Sequence, residues 1–267
     1  MKSAIKTLYI GSNLKMYKNI EQTLEFFRRL DSLTKDIQAP NLCLFAMATY
    51  PALFTVHTGL PGIGVQLGAQ DVYWEEYGPY TGAISPLVLK ECGVQVVQIG
   101  HSERRQLFAE TDASVNKKVL ASLKHGFTAL VCVGETAEDK NWGVSLERVR
   151  EQTKIALGGI EPPQLDRLWI AYEPAWAIGP MGTPASPEYA ARMQRAIKQL
   201  LLELFPTHGS RVPVLYGGSV NAANAVEFIS HDEIDGLYVG RSAYIPDEFN
   251  ALIRNVRNVW LRKSEIT

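Results

Sequence analysis

Residues 168–174, Leu168-Trp169-Ile170-Ala171-Tyr172-Glu173-Pro174, set five apolar side chains in a row before a carboxylate and a proline. A run that is short and apolar at every position reads as a strand buried on both faces. The proline then turns the chain out of the sheet directly after the acid. Seven further runs of this kind lie on either side: Thr7 to Ile10, Leu42 to Met47, Val65 to Leu67, Val94 to Ile99, Thr128 to Val133, Val212 to Tyr216 and Gly236 to Val239. Helix-like segments separate them. In the first, Ile20, Leu24, Phe27 and Leu30 fall at helical spacing, with Asn19 as N-cap and Gln22 placed to complete a capping box. Later helices are expected to open near Ser114, Trp142, Pro187, Asn221 and Pro246, and others after the second and third strands.

Parallel strands covered by helices on both sides define the α/β class, and an eightfold alternation can close into a (β/α)8 TIM barrel. An open doubly wound sheet is the competitor, but it would normally carry a glycine-rich phosphate turn after its first strand. That place holds Gly11-Ser12-Asn13-Leu14-Lys15. No Pro/Ser/Gly-rich linker separates two complete strand sets, so a single barrel domain over residues 1–267 is expected. Such barrels typically take about 250 residues.

With 27 basic against 28 acidic side chains, the formal charge of −1 supplies no broad positive field, so nucleic acid and anionic membrane are not expected partners. Cys43, Cys92 and Cys132 are scattered and form no CxxC pair, which fits a reducing compartment. The run Leu8-Tyr9-Ile10 after Met1 and Lys2 is too short for a signal-peptide core, and no stretch approaches a membrane span. A cytoplasmic protein is expected.

In a closed barrel the chemistry sits where strands end and helices begin. Asn13 and Lys15 follow the first strand, His101-Ser102-Glu103-Arg104 the fourth, Glu173 the sixth, and Gly217-Gly218-Ser219 and Gly240-Arg241 the seventh and eighth. An amide, an ammonium, an imidazole and a carboxylate then share one rim with two glycine-bearing turns: an acid-base set beside an anion site. His101 opens a helical turn whose backbone N–H groups favour a neutral ring able to donate to a carbonyl. His57, His125, His208 and His231 read as surface groups, and no HxH or HExxH pair points to a metal. Behind Glu173, the aromatic segment Ala175-Trp176-Ala177-Ile178-Gly179 could fold over the carboxylate, exclude water and favour abstraction of a carbon-bound proton. A helix opening at Val220-Asn221 would present N–H donors to a dianion.

The pieces Asn13-Leu14-Lys15-Met16, GHSERR within Val97 to Arg105, Cys132-Val133-Gly134-Glu135-Thr136, AYEPAWAIG from Ala171 to Gly179, and Tyr216-Gly217-Gly218-Ser219-Val220 occur in one order along the chain. The sequence thereby resembles the triosephosphate isomerase family over nearly its whole length. The resemblance implies cofactor-free aldose–ketose isomerisation of a small sugar phosphate. Glu173 would be the base, His101 the neutral electrophile and Lys15 the electrostatic partner of substrate oxygen and phosphate, with Asn13 beside it. This is the family's well-described division of labour, loop closure included. Glu103 and Ser102 match supporting positions, and Gly179, Ser219 and Gly240 match backbone phosphate donors.

Two departures from the family pattern bear on substrate. From Gly179 the chain runs Pro180-Met181-Gly182-Thr183-Pro184-Ala185-Ser186-Pro187, a loop one residue longer with an added proline, and Arg241 replaces the second glycine after the eighth strand. Both resemble the branch that isomerises four-carbon ketose phosphates in erythritol breakdown. Triose phosphate is the leading expectation, tetrulose phosphate the alternative, and a non-catalytic barrel that binds a phosphate metabolite the third. Gly78-Pro79-Tyr80-Thr81-Gly82 resembles the loop family members insert into a neighbouring subunit, which implies a homodimer with Thr81 reaching the partner's site. Ala83 stands where that loop usually carries a glutamate.

Overall fold

The computed structural model describes residues 6–179 and 182–266. Eight parallel strands close into a barrel in chain order. They are β1 Leu8–Asn13, β2 Leu42–Ala48, β3 Val65–Ala69, β4 Val96–Ile99, β5 Thr128–Val133, β6 Leu168–Tyr172, β7 Val214–Tyr216 and β8 Gly236–Val239. The ring shuts where β8 pairs with β1, Leu237 opposite Ile10. Helices stand between successive strands, from Ile20–Thr34 after β1 to Pro246–Ile266 after β8.

Two apolar layers explain why the strands read as unbroken apolar runs. Along β6, Leu168, Ile170 and Tyr172 point outward into the layer shared with the helices, while Trp169 and Ala171 point into the barrel. The interior is filled by Phe45, Met47, Val96, Leu130, Cys132, Leu215 and Tyr238 as well. Side chains alternate with a period of two, so the next inward position on β6 after Ala171 is Glu173. Burial on both faces thus delivers that carboxylate to the barrel mouth.

Helix starts follow from local chemistry. Asn19 and Gln22 form both bonds of the capping box, at 2.8 and 3.1 Å, a motif whose cap residue is typically worth about 1 kcal/mol. Pro187 and Pro246 are first helical residues, as expected. Thr111 caps Asp112–Lys124, and Ser114 is the third helical residue that closes its box. Trp142 ends a helix instead of opening one: Thr136 and Asp139 cap the short Ala137–Asn141, and the next helix starts at Ser145. Helices do follow β2 and β3, at Tyr50–Gly59 and Pro86–Glu91.

β2 and β3 run one and two residues beyond the expected ends, to Ala48 and Ala69, β4 starts two residues late at Val96, and three further boundaries move for local reasons. β1 continues past Ile10 to Asn13, paired with β2 as far as Met47, because Gly11 passes beneath the Phe45 ring where a Cβ would come within 2.2 Å. β7 begins after Pro213, which has no N–H for the ladder. The helix expected at Val220-Asn221 begins instead at Ala225, since the Asn221 side chain accepts from Ala223 N–H at 2.9 Å and holds a turn. Among the described residues no helix is long and apolar enough to cross a membrane.

Candidate active site

A cavity of about 330 Å³ opens at the C-terminal ends of the strands, with Asn13, Lys15, His101, Glu103 and Glu173 in its walls. Gly179, Ser219, Gly240 and Arg241 border it as well. Nine of the expected site residues therefore share one hollow. Ser102 instead lines a separate hollow with Arg105 and Thr136, and Thr81 is exposed and does not line the cavity. Pro180 and Met181, the centre of the expected closing loop, lie outside the described residues.

Glu173 is 3% exposed. Its N–H extends the ladder to Val133 O at 2.7 Å, and its backbone packs so tightly on Gly134 that a Cβ there would sit 1.9 Å from its carbonyl oxygen. Gly217 lets the side chain come close as well, though less tightly, with 2.8 Å between an added Cβ and the Glu173 Cγ. Oε1 stands 3.5 Å from His101 Nε2, and Oε2 is buried without a hydrogen-bond partner among the described residues. The residue is fixed by its backbone, and apart from the Cys132 thiol no donor among the described residues holds its carboxylate head. Beneath it the Cys132 thiol is pushed well above its usual value, first by burial and then by the Glu173 charge.

His101 caps the short helix Ser102–Leu107, its Nδ1 accepting the Glu103 N–H at 3.2 Å. A nitrogen that accepts carries no proton, so the ring proton sits on Nε2 and faces Glu173 and the cavity. The Glu103 carboxylate lies 3.7 Å from Nδ1, too far to bond, because its other oxygen is held by Lys15 Nζ at 2.6 Å.

Lys15 adopts a left-handed backbone, φ 50°, which costs a non-glycine residue about 1–2 kcal/mol. Asn13 and Gln70 hold it there. Asn13 Oδ1 accepts the Lys15 N–H at 2.8 Å, and Gln70 Nε2 donates to the Lys15 carbonyl at 2.8 Å and to Asn13 Oδ1 at 3.2 Å. Asn13 is thus the mount of Lys15, its own amide satisfied by protein.

At the rim, Ser219 Oγ donates to Ala177 O at 2.6 Å, tying the turn after β7 to the segment after Glu173. The backbone N–H groups of Ser219, Gly240 and Arg241 have no acceptor among the described residues and border the cavity. Arg241 opens a 3₁₀ turn, whose first N–H groups are free by construction. Its exposed guanidinium has no ion-pair partner among the described residues. These groups can receive an anion. Among the described residues, no group of three or more His, Cys, Asp or Glu side chains is placed to hold a metal ion.

Sequence reading did not single out Gln98, Gln70 or Tyr238. Gln98 is 2% exposed in the barrel and accepts from Asn13 Nδ2 at 3.0 Å and from the Tyr238 hydroxyl. The available signal was a lone amide at an inward position of an otherwise apolar strand. Glu135, within the quoted Cys132–Thr136 piece, has a role the sequence does not show: fully buried, it accepts from Trp176 Nε1 at 2.8 Å, Tyr189 Oη at 2.9 Å and Tyr172 Oη at 3.1 Å, so it ties both ends of the loop after Glu173.

The family model described as triosephosphate isomerase matches residues 8–256. An L-erythrulose-1-phosphate isomerase of Rhizobium etli is 39% identical over 250 residues, covering 93% of this chain and 92% of that protein. A triosephosphate isomerase of Aquifex aeolicus is 39% identical over 245 residues, covering 91% and 97%. The crystal structure of triosephosphate isomerase from Bartonella henselae superposes with a TM-score of 0.84 at 31% identity, covering 94% of this chain and 99% of that one. With its closed barrel, the chain belongs to the triosephosphate isomerase family and is an isomerase.

Proposed function

We propose that the chain, as one barrel domain, interconverts dihydroxyacetone phosphate and glyceraldehyde 3-phosphate through an enediolate, without a cofactor. The observation that carries this is the 3.5 Å approach of Glu173 Oε1 to His101 Nε2. A carbonyl oxygen and the hydrogen on the adjacent carbon are close neighbours, so the base and the donor that serve them must be neighbours too. Glu173 takes the proton from carbon. The C–H electron pair becomes the new C=C bond, and the carbonyl π pair moves to oxygen, where the His101 Nε2–H and Lys15 meet the charge. Return of the proton from Glu173 to the neighbouring carbon, with the hydroxyl proton passed between the two oxygens, completes the exchange. One carbon is oxidised and its neighbour reduced, so the balance needs no external electron acceptor. The N–H groups of Ser219, Gly240 and Arg241 and the left-handed Gly179 turn, φ 88°, would cradle the phosphate.

The test is purified protein supplied with dihydroxyacetone phosphate and coupled to detection of the aldehyde. Glu173→Gln should lower kcat by about 10²- to 10⁴-fold. Undiminished turnover in that variant removes Glu173 from the role of base.

A second reading, conversion of L-erythrulose 1-phosphate to D-erythrulose 4-phosphate, is favoured by the guanidinium of Arg241 at the mouth and by the erythrulose-phosphate isomerases among the relatives. The enediolate proton transfer is unchanged, the carbonyl moves from one ketose position to the next, and the substrate gains one carbon. Side-by-side kcat/KM values for the two sugar phosphates decide between the readings. The enzyme is proposed to work in the cytoplasm as a homodimer. Free Cys43, Cys92 and Cys132 and the exposed Tyr77, Leu107 and Phe108 support this. Sedimentation velocity tests the assembly.

A further inference from the structure

Tyr238 is the unusual member of the barrel interior. Its ring is 3% exposed, stacks on Phe45 at 5.7 Å between centroids, and borders the cavity. Its neighbours there, Val96, Leu130, Cys132 and Leu215, are apolar, so a leucine-like side chain would serve packing alone. The phenol instead reaches Gln98 and donates its proton to Oε1, the oxygen that also accepts Asn13 Nδ2 at 3.0 Å. Gln98 Nε2 in turn donates to Gln70 O at 3.3 Å. With its proton committed, the Tyr238 oxygen keeps lone pairs that no described donor uses. Burying such a network is costly unless its members are satisfied.

Depth gives the network a direction. Tyr238 lies on β8 two positions before Gly240, which follows the strand end, and so sits roughly 6–7 Å beneath the rim donors. A ligand whose phosphate sits at the rim and whose reacting carbons meet Glu173 and His101 directs its other end to this floor. Glu173 Oε2, buried and without a partner among the described residues, borders the same space.

We infer that Tyr238, held by Gln98, is a specificity-determining residue that accepts a hydrogen bond from the terminal hydroxyl of a four-carbon ketose phosphate. The inference rests on the second, four-carbon reading above for its substrate class. In a three-carbon substrate the terminal group is shorter by one carbon and leaves the phenol oxygen unused. A site that presents a polar group to a substrate hydroxyl discriminates against the analogue lacking it, since the group is then buried unpaired.

Two measurements test this. Calorimetric titration of the wild-type protein with glycerol 3-phosphate and with erythritol 4-phosphate, neither of which can react, should give tighter binding of the four-carbon polyol. Equal or weaker binding overturns the inference, whatever the enzyme turns over. In Tyr238→Phe, which keeps the ring and its stacking, the preference for the four-carbon polyol and the kcat/KM ratio of tetrulose to triose phosphate should both fall about five- to tenfold. Ratios within twofold of wild type would mean that the phenol only supports the fold, and the inference fails. Absence of turnover of either sugar by the wild-type protein sinks the isomerase reading alone, and the polyol comparison still decides the role of Tyr238.

Discussion

His101 Nε2 faces Glu173 Oε1 at 3.5 Å across the barrel mouth while His101 Nδ1 accepts the Glu103 N–H at 3.2 Å. The second contact determines what the first can do. A ring whose far nitrogen is occupied by a backbone donor keeps its proton on the near one, so it approaches the carboxylate and any carbonyl beside it as a hydrogen-bond donor. The backbone supplies this arrangement, so it survives changes in the Glu103 side chain.

His101→Gln should therefore lower kcat by about 10²- to 10³-fold, because the donor acts on charge that develops only in the transition state. KM should change little. Steady-state kinetics read both, and a variant that instead raised KM at constant kcat would place His101 in ground-state binding.

Gly217→Ala and Gly134→Ala both crowd Glu173 but at different atoms. The Gly217 Cβ would meet the side chain at 2.8 Å, and the Gly134 Cβ the carbonyl at 1.9 Å. A side chain can swing and a backbone cannot. Gly217→Ala should fold with a displaced carboxylate and show kcat reduced at least about tenfold, whereas Gly134→Ala should lose roughly 3 kcal/mol of stability, the upper end of what overpacking costs, because the atoms it meets are fixed. Urea unfolding beside activity separates the two, and equal losses of stability would refute the distinction.

Most of the barrel was legible because two-sided burial writes itself into sequence as short apolar runs. Thr128–Val133, Leu168–Tyr172 and Gly236–Val239 match the expected strands residue for residue. Asn13, Lys15, His101 and Glu173 were legible for the same reason: each stands at or just beyond a strand end. What sequence hid was satisfied by distant partners. Asn13 reads as a member of the catalytic set beside Lys15, and the fold shows its amide bonded to Lys15, Gln70 and Gln98. Glu135 looks like a loop acid until Trp176, Tyr189 and Tyr172 arrive from later in the chain. The helix after β7 starts later than the sequence suggests because an Asn221 side-chain bond can be read as a cap or as a turn, and only the fold distinguishes them.

Trp176→Phe tests the tether of the loop after Glu173. Phenylalanine keeps a ring beneath Lys140 Nζ, which stands 3.4 Å from the Trp176 centroid, but deletes the 2.8 Å bond to Glu135. A hydrogen bond to a buried charged acceptor is worth about 1.5–3 kcal/mol. The variant should lose stability in that range by urea unfolding and also lose kcat/KM, since Ser219 reaches Ala177 in the same segment. Unaltered kinetics with lowered stability would show that the tether serves the fold and not the loop's position.

Alkaline pH should weaken the protein through Cys43. Burial pushes its thiol from 9.0 up to about 12 in the folded chain. The sign follows from which state releases its proton first. Below pH 9 both states hold the proton and the stabilising contribution is complete. Between about 9 and 12 the unfolded chain loses a proton that the folded chain keeps, so stability falls by up to about 1.4 kcal/mol per pH unit from this group. Cys43 retains some contact with water, so that slope is a ceiling. Tyr9 beside it is raised as well, chiefly by burial and then by Cys43, and contributes to the slope with or without the thiol. Cys43→Ala should lower stability at pH 8 through lost packing yet flatten its decline from pH 9 to 10.5 by close to one proton per molecule in urea unfolding. Parallel slopes in variant and wild type would mean that the thiol ionises alike in the folded and unfolded chains.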